Sequence, residues 1–583
     1  MNCASCGAAL PAEGRFCSAC GAATPTGNAS PGVLPSNVVA PTSSTLESNV
    51  QVTPTVAPAP PRGGPPVWAF VVGGVVTLLV VLGVVAYVFA APYVFTSGFH
   101  TAQYFPRDTW MYGSITLRPG FSQLNAARTL SDAFTSQPGF DEAVKALNTT
   151  PTRTSNLDYQ KDVVPLLDGE IAIGAFGATT QPDFLLMMHS SDPEKLLHVL
   201  AASDNAPEPR DRYKGALYYI DSNNRMAAAS KGWIVTSANR STVEQALDRL
   251  DAASSDSLAQ SDRYQSVVSR LPGDKLGFLY FDSRPAMNSP QVQQSLAQAG
   301  SAMTDYLAPL TGRAAVSLLA ANDGLEMRWE SIPDQAPHQT TFARGNSLTA
   351  LQRMPGDTLF AVGGDSLPAV LSGVDQAISS GLRASMGSQA PKIQFQFDQW
   401  LGGEFAAGVS KGTLHVDLRS QMQGTPDIFM VARVKDRAAA TTDLGVLDRF
   451  LTPKTTTIHG LPLKQVGATA ADSAYYGVDN NWMYVLYGEP EKFLSQDSNS
   501  PAAGLGGNSV FGQVRRAITT DGVAIFADLE NGRKTIEDLV PPAERATYDK
   551  SRVLLQPIKA LGGSIRTDEN GDTHGQLLLA ISK

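Results

Sequence analysis

The sequence has 583 residues, of which 43% are hydrophobic and 17% are charged. This length exceeds one domain of about 150 residues, and the composition is typical of a chain that buries cores. The formal net charge of -9 lies entirely in the C-terminal part, because residues 1–66 are neutral overall and the next charged residue is Arg107. A large acidic domain excludes general electrostatic attraction to nucleic acid or to an anionic lipid surface.

Four cysteines lie within the first twenty residues, and each pair is followed by glycine: Cys3, Cys6, Cys17 and Cys20. The CxxCG spacing lets two thiolates face one ion from a tight turn. Two such turns predict a closed tetrahedral site for structural Zn²⁺, which would stabilise residues 1–22 as a zinc ribbon. Two disulfides or a redox pair are the alternatives, and the redox pair lacks a βαβ context. The segment resembles the N-terminal zinc ribbons of many bacterial membrane proteins.

Two further segments precede the large domain. Residues 23–66 are rich in Pro, Ser and Thr and carry almost no charge, which predicts a disordered tether with a reach of about 35–40 Å. Residues 67–91 contain no charged side chain, and about 20 apolar residues suffice to cross a bilayer. We therefore predict one transmembrane helix, with Trp68 and Tyr87 as interfacial anchors.

The cysteines also predict the orientation of the chain in the membrane. Thiolate ligands persist most readily in a reducing compartment, which places the N-terminus in the cytosol and the large domain outside it. Arg15 is the only basic residue among the first twenty, so the ribbon is expected to contact protein rather than nucleic acid. The lipid bilayer and protein partners on both sides are the expected partners.

The remaining chain carries two similar series of motifs, which predict homologous halves at residues 100–340 and 345–583. The matching motifs keep their order: Pro106-Arg107-Asp108-Thr109 with Pro355-Gly356-Asp357-Thr358, Leu167-Asp168-Gly169-Glu170 with Leu401-Gly402-Gly403-Glu404, Pro182-Asp183 with Pro426-Asp427, Tyr218-Tyr219 and Trp233 with Tyr475-Tyr476 and Trp482, the strand before Asp282 with the strand before Asp528, and Asp323-Gly324 with Asn570-Gly571.

Within each half, strand patterns alternate with helix starts. Residues 184–190 predict a strand that leads into a helix at Asp192-Pro193, and Ser241 with Glu244 predicts a capping box. Strands at 212–221, 224–230 and 232–237 are too close together for crossover helices, so they must pair antiparallel. The predicted fold class is α+β: two tandem halves with antiparallel sheets and helices, together with the ribbon and one membrane helix.

Three patterns that suggest chemistry have simpler explanations. Gly408 to Gly412 match GxSxG, but strand-like sequence follows where a hydrolase elbow requires a helix, which favours a hairpin turn. The acidic run at 568–572 lacks the glycine position and the downstream glutamate of a calcium loop, so we predict a turn. The seven histidines show no metal-ligand spacing: His100, His189, His198, His338, His415, His459 and His574.

The Pro-x-Asp-Thr, Leu-x-Gly-Glu and Pro-Asp motifs of residues 100–583 resemble the bacterial family DUF3352, a domain of unknown function. This resemblance implies an envelope-facing α+β ectodomain and supplies no catalytic residues. We therefore predict no enzyme and no catalytic or cofactor-binding residues, only the zinc ligands Cys3, Cys6, Cys17 and Cys20. The leading hypothesis is an envelope protein that binds or senses a ligand outside the cell. An extracytoplasmic hydrolase and a purely structural component are the alternatives, and a groove between the halves would favour binding.

Overall fold

Antiparallel β-structure dominates the part of the chain that the structure describes. The computed structural model describes residues 101–582 with gaps, the longest at 143–158, 295–310, 336–346 and 366–396. The predicted zinc ribbon, tether and membrane helix at residues 1–91 lie outside the described residues. Among the described helices, none is both long and apolar enough to cross a membrane.

A first series of ten strands lies in residues 111–333. In chain order they are β1 (Met111–Thr116), β2 (Leu167–Phe176), β3 (Asp183–Ser190), β4 (Asp211–Tyr213), β5 (Ala216–Ile220), β6 (Met226–Ser230), β7 (Trp233–Ser237), β8 (Gly277–Asp282), β9 (Gly312–Ala321) and β10 (Gly324–Pro333). Their spatial order is β4-β5-β6-β7-β3-β2-β1-β8-β9-β10, and every neighbouring pair is antiparallel. From β4 to β7 the connections are too short for crossover helices, and the antiparallel pairing predicted there is confirmed.

The second series lies in residues 358–581. Its strands are β11 (Thr358–Gly364), β12 (Leu401–Ser410), β15 (Asp427–Val434), β16 (Lys454–Ile458), β17 (Leu461–Val466), β18 (Ala474–Val478), β19 (Trp482–Tyr487), β20 (Val523–Asp528), β21 (Ile558–Thr567) and β22 (Thr573–Ile581). Their spatial order is β16-β17-β18-β19-β15-β12-β11-β20-β21-β22, the same as in the first series. A separate hairpin of β13 (His415–Asp417) and β14 (Ser420–Gln423) follows β12.

The two series join along their last strands. β10 pairs antiparallel with β22, with Leu325 opposite Leu579, so one continuous sheet contains both series. Ion pairs cross this seam in both directions: Arg270 Nη1 lies 2.6 Å from Asp572 Oδ2, and Arg516 Nη2 lies 2.5 Å from Asp323 Oδ1. Each series thus contributes an arginine to a hairpin turn of the other, and the described residues form one compact unit.

Helices cover the strands and enclose the cores. In the first series they are α1 (Phe121–Thr135), α2 (Pro193–Ser203), α3 (Arg240–Asp251), α4 (Asp262–Val268) and α5 (Arg284–Met287); in the second they are α6 (Ser347–Gln352), α7 (Phe397–Trp400), α8 (Arg437–Leu451), α9 (Pro490–Leu494), α10 (Ser509–Val514), α11 (Leu529–Glu537) and α12 (Pro542–Leu555). Short 3-10 turns lie at Thr101–Tyr104, Val164–Leu166, Leu258–Gln260, Leu505–Gly507 and Arg515–Ala517, and a π turn lies at Tyr159–Val163.

The main cores occupy equivalent places in the two series. Tyr264 of α4 packs edge-on to Tyr280 of β8 with ring centroids 5.1 Å apart. Phe511 of α10 packs edge-on to Phe526 of β20 at 5.3 Å. These rings are buried within separate apolar clusters, so each series has its own core while sharing the sheet.

The Pro-x-Asp-Thr motif forms the same turn in both series. Thr109 donates from its backbone N–H (3.1 Å) and its hydroxyl (2.7 Å) to the Pro106 carbonyl. Thr358 makes the same two bonds to the Pro355 carbonyl, at 3.1 Å and 2.6 Å. Both threonines are buried, so the hydroxyl satisfies its hydrogen-bonding needs locally. The motif is therefore a structural turn before β1 and β11.

The Leu-x-Gly-Glu motif forms a bulge at the start of β2 and of β12. Pairing with the neighbouring strand shifts register between Leu167 and Ile171, and again between Leu401 and Phe405. Gly169 has φ +97° and Gly403 has φ +95°. An ideal Cβ on Gly403 would lie 2.5 Å from the Asp365 carbonyl oxygen. Glycine is required at this bulge because other residues disfavour positive φ.

Predictions about the start of α2 are confirmed. Asp192 is the N-cap, and its carboxylate accepts from the Lys195 N–H at 3.1 Å, while Pro193 occupies the first turn. The predicted capping box of Ser241 and Glu244 is wrong. Asn239 caps α3 instead, because its side-chain oxygen accepts from the Ser241 N–H and the helix begins at Arg240, two residues before the predicted start.

Two turn predictions also need correction. The predicted strand 212–221 is a hairpin, since Lys214 (φ +46°) and Gly215 (φ +91°) separate β4 from β5. Paired positive φ values make a tight two-residue turn. The hairpin between β9 and β10 is confirmed, but its turn comprises Asn322 and Asp323, since Gly324 already pairs with Ala321.

Candidate functional site

The predicted site residues divide into those that the structure describes and those that it does not. The four cysteine ligands lie outside the described residues, as do His100 and His338. Ser410 of the GxSxG pattern is fully buried in β12, and strand β13 follows it, so the hydrolase elbow does not form. Residues 568–572 form the β21–β22 turn, as predicted, with Asp568 Oδ1 accepting from two turn N–H groups. No group of three or more metal-ligating side chains comes together in the described ranges.

The motif glutamates have a shared positioning role. Glu170 accepts from the Thr101 N–H at 3.2 Å, and Glu404 accepts from the Ala350 N–H at 2.9 Å. Thr101 and Ala350 each stand five positions before the motif proline. In both series the carboxylate therefore fastens the segment that enters the first strand onto the second strand.

Around Glu170 the first series adds polar groups that the second series lacks. The carboxylate also accepts from the hydroxyls of Thr101 and Tyr112, and those two hydroxyls lie 2.6 Å apart. The corresponding positions in the second series are Ala350 and Ala361, and Phe511 stands where the first series has Tyr264. The hydroxyls are thus not needed to form the fold.

This buried network perturbs its titratable groups. Burial, followed by the negative charge of Glu170, raises the pKa of Tyr112 and of Tyr264 well above the ordinary phenol value. Burial lowers the pKa of Lys275, and Glu170 partly opposes that shift. Low polarity disfavours the charged form of each group. Both tyrosines therefore remain neutral within the core of the first series, and Tyr112 donates its hydroxyl hydrogen to Glu170.

An open cleft of about 590 Å³ lies at the surface of the first series. Its lining comes from the motif turn, the segment before α4, and the starts of α4 and α5: Arg107, Asp108, Asp256, Ser261, Asp262, Arg263 and Arg284. The Leu258 N–H donates to the Phe105 carbonyl at 2.9 Å, and Pro106 and Ser257 form an isolated antiparallel β-bridge. These bonds fasten the segment before α4 to the motif turn and so form one wall of the cleft.

Two arginines of the cleft are held by Asp282, the last residue of β8. Arg263 donates from Nε (2.6 Å) and Nη2 (2.9 Å) to the two carboxylate oxygens of Asp282. Arg284 donates to the same carboxylate from its backbone N–H and from Nη2, each at 3.0 Å. Arg263 also makes a bidentate pair with Asp334 at 2.5 and 3.1 Å. Bidentate pairs of this kind fix the guanidinium plane as well as its position.

The charges of this cluster stabilise one another. Burial opposes ionisation of Asp282, but hydrogen bonds from Arg263 and Arg284 outweigh it and lower the carboxyl pKa. Burial likewise opposes the charge on Arg263, and Asp282 and Asp334 outweigh it and raise the guanidinium pKa. Arg263 is therefore charged and held in a fixed orientation between Asp282 and Asp334.

Three lining residues are exposed and form no hydrogen bond or ion pair through their side chains with the described residues: Arg107, Asp108 and Asp262. Sequence reasoning treated Arg107 and Asp108 only as parts of a repeated motif and did not identify Arg263 or Arg284. Comparison of the two strand series supplies the missing signal. The second series has Gly356, Val510 and Glu530 where the first has its three cleft arginines.

Comparisons with known proteins supply a family and little else. A family model described as "Protein of unknown function (DUF3352)" matches residues 71–581. No curated protein matches the sequence. Among solved structures, crystal form I of TP0453 is 10% identical with a TM-score of 0.24, covering 42% of this chain and 83% of that one. Crystal form IV of TP0453 is 13% identical with a TM-score of 0.21, covering 40% and 79%. Likenesses this low carry no argument about fold or function.

Proposed function

Since this chain belongs to the DUF3352 family, whose function is unknown, we propose its role from its own residues: an envelope protein that binds a charged ligand in the cleft of the first strand series. In this proposal the protein is not an enzyme. The ligand-binding domain lies outside the plasma membrane, and residues 67–91 anchor it there as a single span. Cys3, Cys6, Cys17 and Cys20 hold a structural Zn²⁺ in a cytosolic ribbon that contacts a protein partner.

The observation that carries the proposal is the difference between the two series at one place. We infer that they are tandem copies of one α+β unit, supported by their common strand order, their shared motif turn and their shared glycine bulge. Features common to both copies serve the fold. The three cleft arginines occur in the first copy alone, so the fold does not require them.

The geometry of the cleft favours recognition. Asp282 is 6% exposed, and a buried carboxylate that orients two guanidinium groups reduces the freedom that a ligand would otherwise have to restrict. Such preorganisation raises affinity. A cleft of about 590 Å³ is within the usual range for small ligands. All of its lining residues belong to the first series, so this site is not the groove between the halves that the sequence analysis considered.

The hydrolase alternative gains no support from the described residues. Its one sequence pattern centres on Ser410, whose hydroxyl is buried and contacts Asp427 Oδ2 at 3.4 Å. Nucleophilic catalysis requires a serine that a substrate carbonyl can reach, with a base beside it. The binding hypothesis therefore remains the better supported one.

Ligand capture tests the proposal. The full-length protein in lipid nanodiscs would be incubated with an envelope extract, and mass spectrometry would identify what remains bound. We expect the unsubstituted protein to retain a ligand. The doubly substituted Arg107→Gln, Arg284→Gln protein should retain at least tenfold less of that ligand. Arg515→Gln is the matched control, because Arg515 is exposed outside the cleft. Equal capture by all three proteins, or capture by none, would overturn the binding role of the cleft.

Membrane orientation has its own test. A protease added outside intact cells should degrade the large domain of an N-terminally tagged protein and spare the tag. Protection of the large domain with loss of the tag would reverse the proposed orientation.

A further inference from the structure

The lining of the first-series cleft carries both signs of charge in equal number. Arg107, Arg263 and Arg284 oppose three aspartates, so the formal charges cancel. A polyanion would meet the aspartates and a polycation would meet the arginines. Electrostatic complementarity thus disfavours ligands of a single charge sign.

Not all of these charges are satisfied within the protein. Asp282 and Asp334 occupy most donors of Arg263, and Asp282 binds Nη2 of Arg284. Arg107 is exposed with no partner among the described residues. Arg284 keeps its Nη1 donors, and its side chain is 50% exposed. Donors for an incoming carboxylate therefore lie on the turn before β1 and at the start of α5.

The acceptors lie in the same cleft. Asp262 begins α4 and lines the cleft, and its exposed carboxylate has no partner in the described part of the chain. Arg263, the next residue, is held in place by Asp282 and Asp334. The position of the Asp262 backbone is therefore fixed by the same clamp that orients the arginines.

We propose that the cleft binds a short peptide with free termini, its carboxylate on Arg107 and Arg284 and its ammonium group on Asp262. This inference rests on the proposed function and specifies the ligand of that site. Guanidinium groups bind carboxylates bidentately, and an exposed carboxylate accepts a charge-assisted hydrogen bond from an ammonium group. A free zwitterionic peptide presents both groups, and the cleft of about 590 Å³ has room for several residues.

Calorimetric titration of the full-length protein in nanodiscs tests this inference with three probes: tetra-alanine, its N-acetylated form and its C-terminal amide. We expect tetra-alanine to bind, and each blocked peptide to bind at least tenfold more weakly. Arg107→Gln should remove the preference for the free carboxylate and keep the preference for the free amine. Asp262→Asn should do the reverse. Arg515→Gln and Asp211→Asn, both exposed and away from the cleft, should retain both preferences.

Several outcomes would overturn the peptide inference: no binding of tetra-alanine at millimolar concentration, equal binding of all three probes, or loss of both preferences in the control variants. These results are distinguishable from failure of the proposed function. If tetra-alanine does not bind but captured envelope material still depends on Arg107 and Arg284, the cleft remains a binding site and its ligand is of another class. A captured phospholipid headgroup or a saccharide would be such a case.

Discussion

Asp282 and its counterpart Asp528 offer a matched test of how the arginine cluster is stabilised. Both end a core strand and are buried, at 6% and 2% exposed. Asp282 bonds to two arginines, whereas Asp528 accepts from the backbone and side-chain amides of Asn531 at 2.9 and 2.8 Å. Asp282→Asn removes a negative charge that is paired with two arginines. Asp528→Asn removes a negative charge whose partners are the neutral amides of Asn531.

The expected losses follow from these partners. Breaking a buried ion pair costs about 3–5 kcal/mol because the remaining charge is left uncompensated. Arg263 retains Asp334, and asparagine still offers an acceptor, so Asp282→Asn should lower the free energy of unfolding by about 2–3 kcal/mol. In Asp528→Asn an amide NH2 replaces one of the two carboxylate oxygens that accept from Asn531. The loss of this hydrogen bond should lower the free energy of unfolding by about 1 kcal/mol.

Urea unfolding of the full-length protein, followed by tryptophan fluorescence at neutral pH, measures both losses from the midpoint and slope. Because the pKa of Asp282 is lower in the folded protein, its ionic contribution is present above the unfolded value of about 3.9 and is lost as pH falls through the folded value. The deficit of Asp282→Asn should therefore shrink below about pH 4. A loss no larger than that of Asp528→Asn, or a deficit unchanged by acid, would refute the reasoning.

Three further predictions concern the fold and the metal. Gly403→Ala should destabilise the protein by about 2 kcal/mol because of its positive φ. Gly445→Ala, at an open position inside α8, should instead stabilise it by up to about 1 kcal/mol. A Gly403→Ala protein as stable in urea as the unsubstituted protein would contradict the bulge assignment. Tyr112→Phe removes one donor to buried Glu170 and should cost about 1–2 kcal/mol, and an unchanged unfolding midpoint would show that the hydroxyl contributes nothing. Elemental analysis of the full chain should find one zinc per molecule, and Cys3→Ser should release most of it, since three sulfurs leave the tetrahedral site open; full retention would contradict the ligand set.

The asymmetry between the two series separates residues that stabilise the fold from those available for recognition. Thr109 and Thr358 make the same pair of hydrogen bonds, so the motif is explained by the turn alone. Arg107 lies inside the same motif, but Gly356 replaces it in the second series. A residue that varies within an otherwise preserved turn is free of the turn's geometric requirements, which leaves Arg107 available for the ligand proposed above.

Local structure was predicted correctly from the sequence where a residue had a single physical explanation. Asp192 followed by proline predicted a helix start, and the short spacings after residue 211 predicted antiparallel strands. The prediction was wrong where two local signals competed. Asn239 caps α3 in place of Ser241, since either side chain could accept from the first-turn N–H groups and only their geometry distinguishes them.

The sequence by itself determined that the same motifs recur in order along the chain. Their residue types meet local requirements, a positive φ and a hydroxyl bonded three residues back, which the structure places in bulges and turns. Which strands become neighbours across the seam, and which charges meet in the cleft, only the tertiary structure decided. Arg263 reaches Asp282 across 19 residues and Asp334 across 71. No local preference encodes contacts over such separations, since they form only when packing of the cores brings the ends of β8 and β10 together beside α4.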